Sequence, residues 1–285
     1  MPGVKYFLWL ALWLVSTPLF AEQVFTDDLG NVITFAAPPQ RIVSLTPHIT
    51  ELLYAAGAGE HLVAAVDYSD YPEAATRLPR IGNAERFDHE RLLQLQPDLI
   101  IAWGSGTPAR EIAALRRLGI PLYLSEPRRL HAIGAQLRVF GEIAGTSAQA
   151  EIAAQDYERR LAALRTRYAT NPRRTVFYQL AQQPLLTVNR EHLINDVLSL
   201  CGGVNPFADV STLTPRVDIE AVLAARPEAV VFALYPGESV AAVQTFWRRY
   251  GLPSTTRYIG VPGDYIHRAT PRVLEGVEQI CAGLM

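Results

Sequence analysis

The sequence predicts an α/β protein of two lobes bridged by one long α-helix, and three observations carry that expectation. From Arg41 onward, short apolar, β-branched runs alternate with helical stretches, which is the rhythm of parallel βαβ units. The rhythm breaks once, at a helical stretch from Thr146 to about Ala169. A segment of the first half then recurs in the second at an offset of 130 residues.

Taken in order, residues 1–21 (MPGVKYFLWLALWLVSTPLFA) place Lys5 before an apolar run from Tyr6 to Val15, then Ser16, Thr17 and Pro18, with Ala21 before Glu22. That is the layout of a cleaved secretory signal peptide; a membrane span would need about 20 apolar residues. No cysteine lies near the cut, so a lipid-anchored form is not expected. Val24–Phe25 and Val32–Phe35 flank Asp27–Asn31 as a hairpin. In the first lobe, residues 22–145, strands are expected at Arg41–Leu45, Leu62–Val66, Leu99–Trp103 and Pro121–Leu124. Between them lie helices at Thr50–Ala56, Asp88–Leu95 and Pro108–Leu118, stopped by Gly57, Pro97 and Gly119 respectively.

The bridging helix, residues 146–170, carries Tyr157, Leu161, Leu164 and Tyr168 on one face. Thr146 and Gln149 have the spacing of a capping box, and Asn171–Pro172 is the stop. At 1.5 Å per residue this helix spans about 35 Å, enough for a rigid strut. The second lobe, residues 171–285, repeats the βα rhythm. Its strands are Thr175–Leu180, Ala229–Leu234 and Tyr258–Val261, and its helices Ile194–Leu200, Asp218–Ala225, Val240–Arg249 and Pro271–Gly283. The repeat sets Asp88, Glu90, Leu93 and Pro97 over Asp218, Glu220, Leu223 and Pro227. Each copy opens on an N-capping Asp with a Glu in the first turn, which fits duplicated lobes.

Composition narrows the function. With Lys+Arg 26 against Asp+Glu 28 the net charge is −2, which gives nucleic acid no basic face. Cleavage after Ala21 would remove Lys5 and no acid, leaving 25 against 28, or −3. In an oxidising compartment the two cysteines, Cys201 and Cys281, favour a disulfide over a metal site or a nucleophile, with two buried free thiols as the other possibility. No phosphate-binding loop, nucleophile elbow, zinc-protease helix or C-x-x-C is present, and the six histidines stand apart. Neither a metal site nor an enzyme is therefore expected.

What remains is a set of loops at strand ends, rich in aromatics and small polar groups: Tyr68–Pro72, Trp103–Gly106 and Gly263–Arg268. In open α/β sheets ligands bind at the carboxyl ends of strands. Aromatic faces with a few hydrogen-bonding groups suit a large, flat, partly polar ligand.

Six segments carry a resemblance: RIVSLTPHITELLYAAG (41–57), DYSDYP (67–72), ERLLQLQPDLIIAW (90–103), LCGGVNPF (200–207), the stretch around Glu220, and RATPRVLEGVEQIC (268–281). In these the chain resembles the periplasmic cobalamin-binding proteins of ABC importers, a family that also includes haem and ferric-siderophore binders. The resemblance implies two Rossmann-like lobes of a class III periplasmic binding protein, with the cleft between them and little closure on binding. It implies that Tyr68, Trp103 and Tyr265 wall a corrinoid, beside Ile266, while Asp264, His267 and Arg268 bond its periphery. It also implies that Glu90 and Glu220, one per lobe, dock on the inner-membrane permease, and that Cys201 and Cys281 form a disulfide. Ala84 and Thr214 stand where a cobalamin binder of this family carries Trp. The expected product is a monomeric periplasmic carrier with a transported ligand and no cofactor. A haem or siderophore carrier, with Tyr68 or His267 on iron, is the nearest alternative, and an enzyme acting on a tetrapyrrole or nucleotide the more distant one.

Overall fold

The structure, a computed structural model, describes residues 22–83 and 85–285. The expected leader, residues 1–21, and Ala84 lie outside the described residues.

Two four-stranded parallel sheets form the lobes. In the first, the strand Ile42–Ser44 lies between Leu62–Ala64 and Leu99–Trp103, and Leu122–Ser125 forms the far edge. In the second, Arg174–Gln179 lies between Gly203–Val204 and Ala229–Leu234, with Arg257–Pro262 at the edge. The strand order is the same in both sheets, and the local chemistry repeats with it. Asp88 caps the helix His89–Gln94 by accepting from Arg91 N at 2.9 Å, and Asp218 caps Ile219–Ala225 by accepting from Ala221 N at 2.7 Å. Gln96 (φ +46°) and Arg226 (φ +45°) are both left-handed, each just before the repeated proline. Two residues on, Asp98 accepts from the backbone N–H of Arg41, and Glu228 from that of Thr175. Shared helix-start chemistry explains the capping acids alone; a repeated strained residue and a repeated carboxylate clamp on the adjacent strand speak for duplication.

The strut is the helix Ser147–Tyr168. Its buried face is Ala150, Ala154, Tyr157, Leu161, Leu164 and Tyr168, so the apolar stripe read from the sequence is the packed one. The capping box does not form: Thr146 gives its hydroxyl to Ala56 O at 2.7 Å instead. A tertiary bond has replaced a local one.

The sequence reading also left out a helix, Leu130–Ala144, against which the strut lies. Glycines permit the approach. A Cβ on Gly141 would stand 2.2 Å from Ala150 Cβ, and one on Gly134 would stand 2.8 Å from Glu158 Oε1. Arg138, between them, pairs with Glu151 and Glu158, each at 2.6 Å. On the other side Arg160 of the strut meets Glu275 of the last helix, Val273–Leu284, at 3.0 Å. One core cluster runs from lobe to lobe through the strut, and each lobe has a second, separate cluster, around Val43 and Ile100 in the first and around Phe177 and Trp247 in the second.

Cys201 and Cys281 are bonded, joining the end of the helix Leu193–Leu200 to the last helix. Asn171 Nδ2 donates to the carbonyls of both cysteines, at 3.2 and 3.3 Å. Among the described residues no helix is long and apolar enough to cross a membrane.

Candidate functional site

The cleft is built from strand ends of both lobes. On the first lobe, the chain leaves Ile42–Ser44 and enters the helix Pro47–Ala55, with proline suited to the first helical turn. His48 on that first turn is buried, and its ring meets Trp103 edge-on at 5.3 Å. Trp103 ends its strand, and the following loop is held by Glu126, which accepts from the Ser105 backbone N–H at 2.6 Å and from its hydroxyl at 2.9 Å. Tyr68 sits beside them, left-handed (φ +63°) and 78% exposed. The second lobe contributes His192, Thr214, Tyr235 and the turn Gly263–Ile266 with the residues after it.

Two adjoining cavities lie between these walls. One, of about 260 Å³, is lined mainly by apolar groups (Trp103, Pro127, Leu180, Leu193, Leu213, Ile266, Ala269), with His48, His192 and His267 among them. The other, of about 250 Å³, opens past Tyr68, Tyr235, Asp264 and Arg268. His48, Trp103 and His267 line both.

All three histidines are neutral at pH 7. Burial lowers the pKa of His267 to about 4 and that of His192 to about 4. Burial first, and the Arg268 charge second, lower that of His48 to about 3. His267 bridges two tyrosines, its Nε2 at 2.8 Å from the Tyr178 hydroxyl and its Nδ1 at 2.6 Å from that of Tyr235. A neutral ring has one N–H, so one tyrosine accepts and the other donates. His192 Nδ1 accepts from the Ile194 backbone N–H at 3.2 Å, which places its proton on Nε2.

A family model described as periplasmic binding protein matches residues 42–240.

The chain belongs to the periplasmic binding protein family.

A vitamin B12-binding protein of Vibrio cholerae is 40% identical over 251 residues, covering 87% of this chain and 90% of that one. One from Yersinia pestis is 38% identical, covering 86% of each. The crystal structure of the periplasmic vitamin B12 binding protein of Vibrio cholerae superposes with a TM-score of 0.78 at 40% identity, over 87% of this chain and 97% of that one. A periplasmic heme-binding protein from Roseiflexus, in its apo form, superposes with a TM-score of 0.73 at 28% identity, over 86% and 97%. Proteins of this family bind solutes and are not enzymes.

In this periplasmic binding protein, the residues singled out from the sequence divide by position. Tyr68, Trp103, Asp264, Ile266, His267 and Arg268 all line one cavity or both. Tyr265 lines neither, and its ring lies 5.6 Å from the Arg272 guanidinium. Arg268 is 8% exposed and bonds within the protein, to Glu51 (2.7 Å), Asp70 (2.8 Å), Asp264 (2.8 Å) and the Tyr68 carbonyl (3.1 Å). Glu90 and Glu220 are exposed on the first turns of the two equivalent helices and line neither cavity.

Sequence reasoning missed His48, His192 and Tyr235. A signal for His48 was available: it follows a strand end, the same position that singled out Trp103. Among the described residues no group of three His, Cys, Asp or Glu is placed to hold a metal ion.

Proposed function

We propose that this periplasmic binding protein captures cobalamin, or a close corrinoid, between its lobes and delivers it to the permease of an ABC importer. Relatives named for vitamin B12 binding, matched over nearly their whole length, support the ligand class. The charge balance of the cleft supports it against haem. Arg128, Arg268 and Arg272 are each paired with a carboxylate, drawn from Glu126, Glu51, Asp70 and Asp264. With its guanidiniums neutralised in this way, the cleft offers poor counter-charge to the two carboxylates of haem. Its partly exposed acids, Asp70 and Asp264, suit the amide N–H groups on a corrin rim.

Coordination points the same way. Cobalamin brings its own axial groups, whereas haem needs a donor from the protein. Both His267 nitrogens are engaged by tyrosines and His192 Nε2 carries a proton, so a haem reading is left with the exposed phenol of Tyr68 and the buried, unpartnered Nε2 of His48 as donors.

Under the cobalamin reading Tyr68 and Trp103 wall the macrocycle, Ile266 lines its apolar side, and Asp264 receives its amides. His267 fixes Tyr235 at the rim. Arg268 holds Asp70 and Asp264 in place and does not reach for the cargo; Tyr265 supports Arg272. Glu90 and Glu220 are the docking acids, one per lobe on equivalent helix turns, and the carrier acts as a monomer in the periplasm. Calorimetric titration of the mature chain with cyanocobalamin tests the reading. A single-site isotherm is expected; no heat at micromolar protein refutes it.

A further inference from the structure

Glu51 lies on the first helix of the first lobe, and its side chain is 2% exposed. A carboxylate so buried needs compensating partners. Both of its charged partners come from the second lobe. Arg268 Nη1 donates to Oε1 at 2.7 Å, Arg272 Nη2 to the same oxygen at 2.6 Å, and Arg272 Nε to Oε2 at 2.9 Å. The same two arginines grip the loop carrying Tyr68: Arg268 donates to the Tyr68 carbonyl and to Asp70, and the Arg272 guanidinium lies 3.9 Å over the Tyr71 ring. The chain positions are telling. Glu51 is one helical turn past His48, so the two share a face of the helix, and Arg268 directly follows His267. The cavity wall of each lobe is therefore adjacent to a member of this cluster. A second ion pair across the lobes, Arg129 with Glu191 at 3.0 Å, is 35% and 49% exposed, and exposed pairs hold little.

We propose that Glu51 is a positioning residue that sets the width of the cleft, by drawing Arg268 and Arg272 of the second lobe onto the first. Its carboxylate holds two cations side by side; without that charge they repel one another, and the walls bearing His48 and His267 separate. The link to affinity rests on the cobalamin reading; the link to lobe separation does not.

The test uses Glu51→Gln, which removes the charge at nearly constant volume, and Arg272→Met as a second variant that leaves Glu51 its Arg268 partner. Arg160→Met, which cuts the strut from the last helix, is the structural control. Spin labels at exposed positions, Arg117→Cys in the first lobe and Arg249→Cys in the second, report lobe separation by pulsed dipolar spectroscopy, and calorimetry with cyanocobalamin reports affinity. Both clasp variants are expected to lengthen and broaden the label distance and to weaken cyanocobalamin on the order of tenfold, mainly through faster dissociation. Unchanged distances and affinity in both variants, with only a lowered melting temperature as in Arg160→Met, would overturn the proposal. If the wild-type chain itself takes up no cyanocobalamin, the functional reading fails and the label distances alone decide the clasp.

Discussion

Acidification should weaken the fold through the desolvated cavity histidines, and His267 gives the cleanest case. Its pKa falls from the ordinary 6.5 to about 4 because the half-buried ring is desolvated between two tyrosines. In the unfolded chain the same imidazole takes a proton near pH 6.5, so the unfolded state binds more protons below that pH. The stability tied to its neutral form is thus complete above about 6.5 and is lost as the pH falls toward 4. Between pH 7 and pH 5 the loss for this one group is about 2 kcal/mol. His48 and His192 act in the same sense. Urea unfolding of wild type and His267→Gln at the two pH values is the assay. The variant starts lower, since the buried Tyr178 hydroxyl loses its partner, but it should lose about 2 kcal/mol less than wild type on going to pH 5. Carboxylates titrate in both proteins and drop out of the difference. Equal losses in the two proteins would refute the desolvated, neutral His267.

Other perturbations test other parts of the account. Replacing Cys201 and Cys281 by serine frees a loop of 80 residues; the chain-entropy cost is about 4 kcal/mol, lowering the melting temperature by roughly 8 °C if the lobes unfold together, as scanning calorimetry would read. Trp103→Ala removes an aromatic wall shared by both cavities and should weaken cyanocobalamin by about 2 kcal/mol in a calorimetric titration. Glu90→Ala combined with Glu220→Ala should leave cyanocobalamin affinity unchanged while weakening association with the permease in detergent or nanodiscs; undiminished association would remove the docking assignment.

Strands that are apolar runs bounded by turn residues were legible: Leu99–Trp103 and Ala229–Leu234 form where they were expected, whereas the two-residue edge strand Gly203–Val204 carries no such run and was missed. Duplication was legible too, since capping and pre-proline chemistry are local and repeat with the sequence. The helix Leu130–Ala144 was not, although Leu130, Ile133, Leu137 and Phe140 have helical spacing. Gly134 and Gly141 weaken its local signal, yet they are the residues that admit the strut. Thr146 shows the opposite error: a sound local motif lost its hydroxyl to Ala56 O, 90 residues away.

In the site, the strand-end rule found Trp103 and the last loop but could not give the partners of Arg268. Glu51 stands 217 residues earlier, inside a stretch that reads as an ordinary amphipathic helix. His192 was set aside because no second histidine lies at metal-binding spacing. Its place on the cavity wall comes from tertiary packing, which spacing along the chain does not encode.

The most direct test of the cobalamin assignment is a competition by equilibrium dialysis. The mature chain is dialysed against equimolar cyanocobalamin and haemin, and the retained ligand is identified by its absorption spectrum. One cyanocobalamin retained per chain, with no haem Soret band, is the expected result. A retained haem band without cyanocobalamin would contradict it.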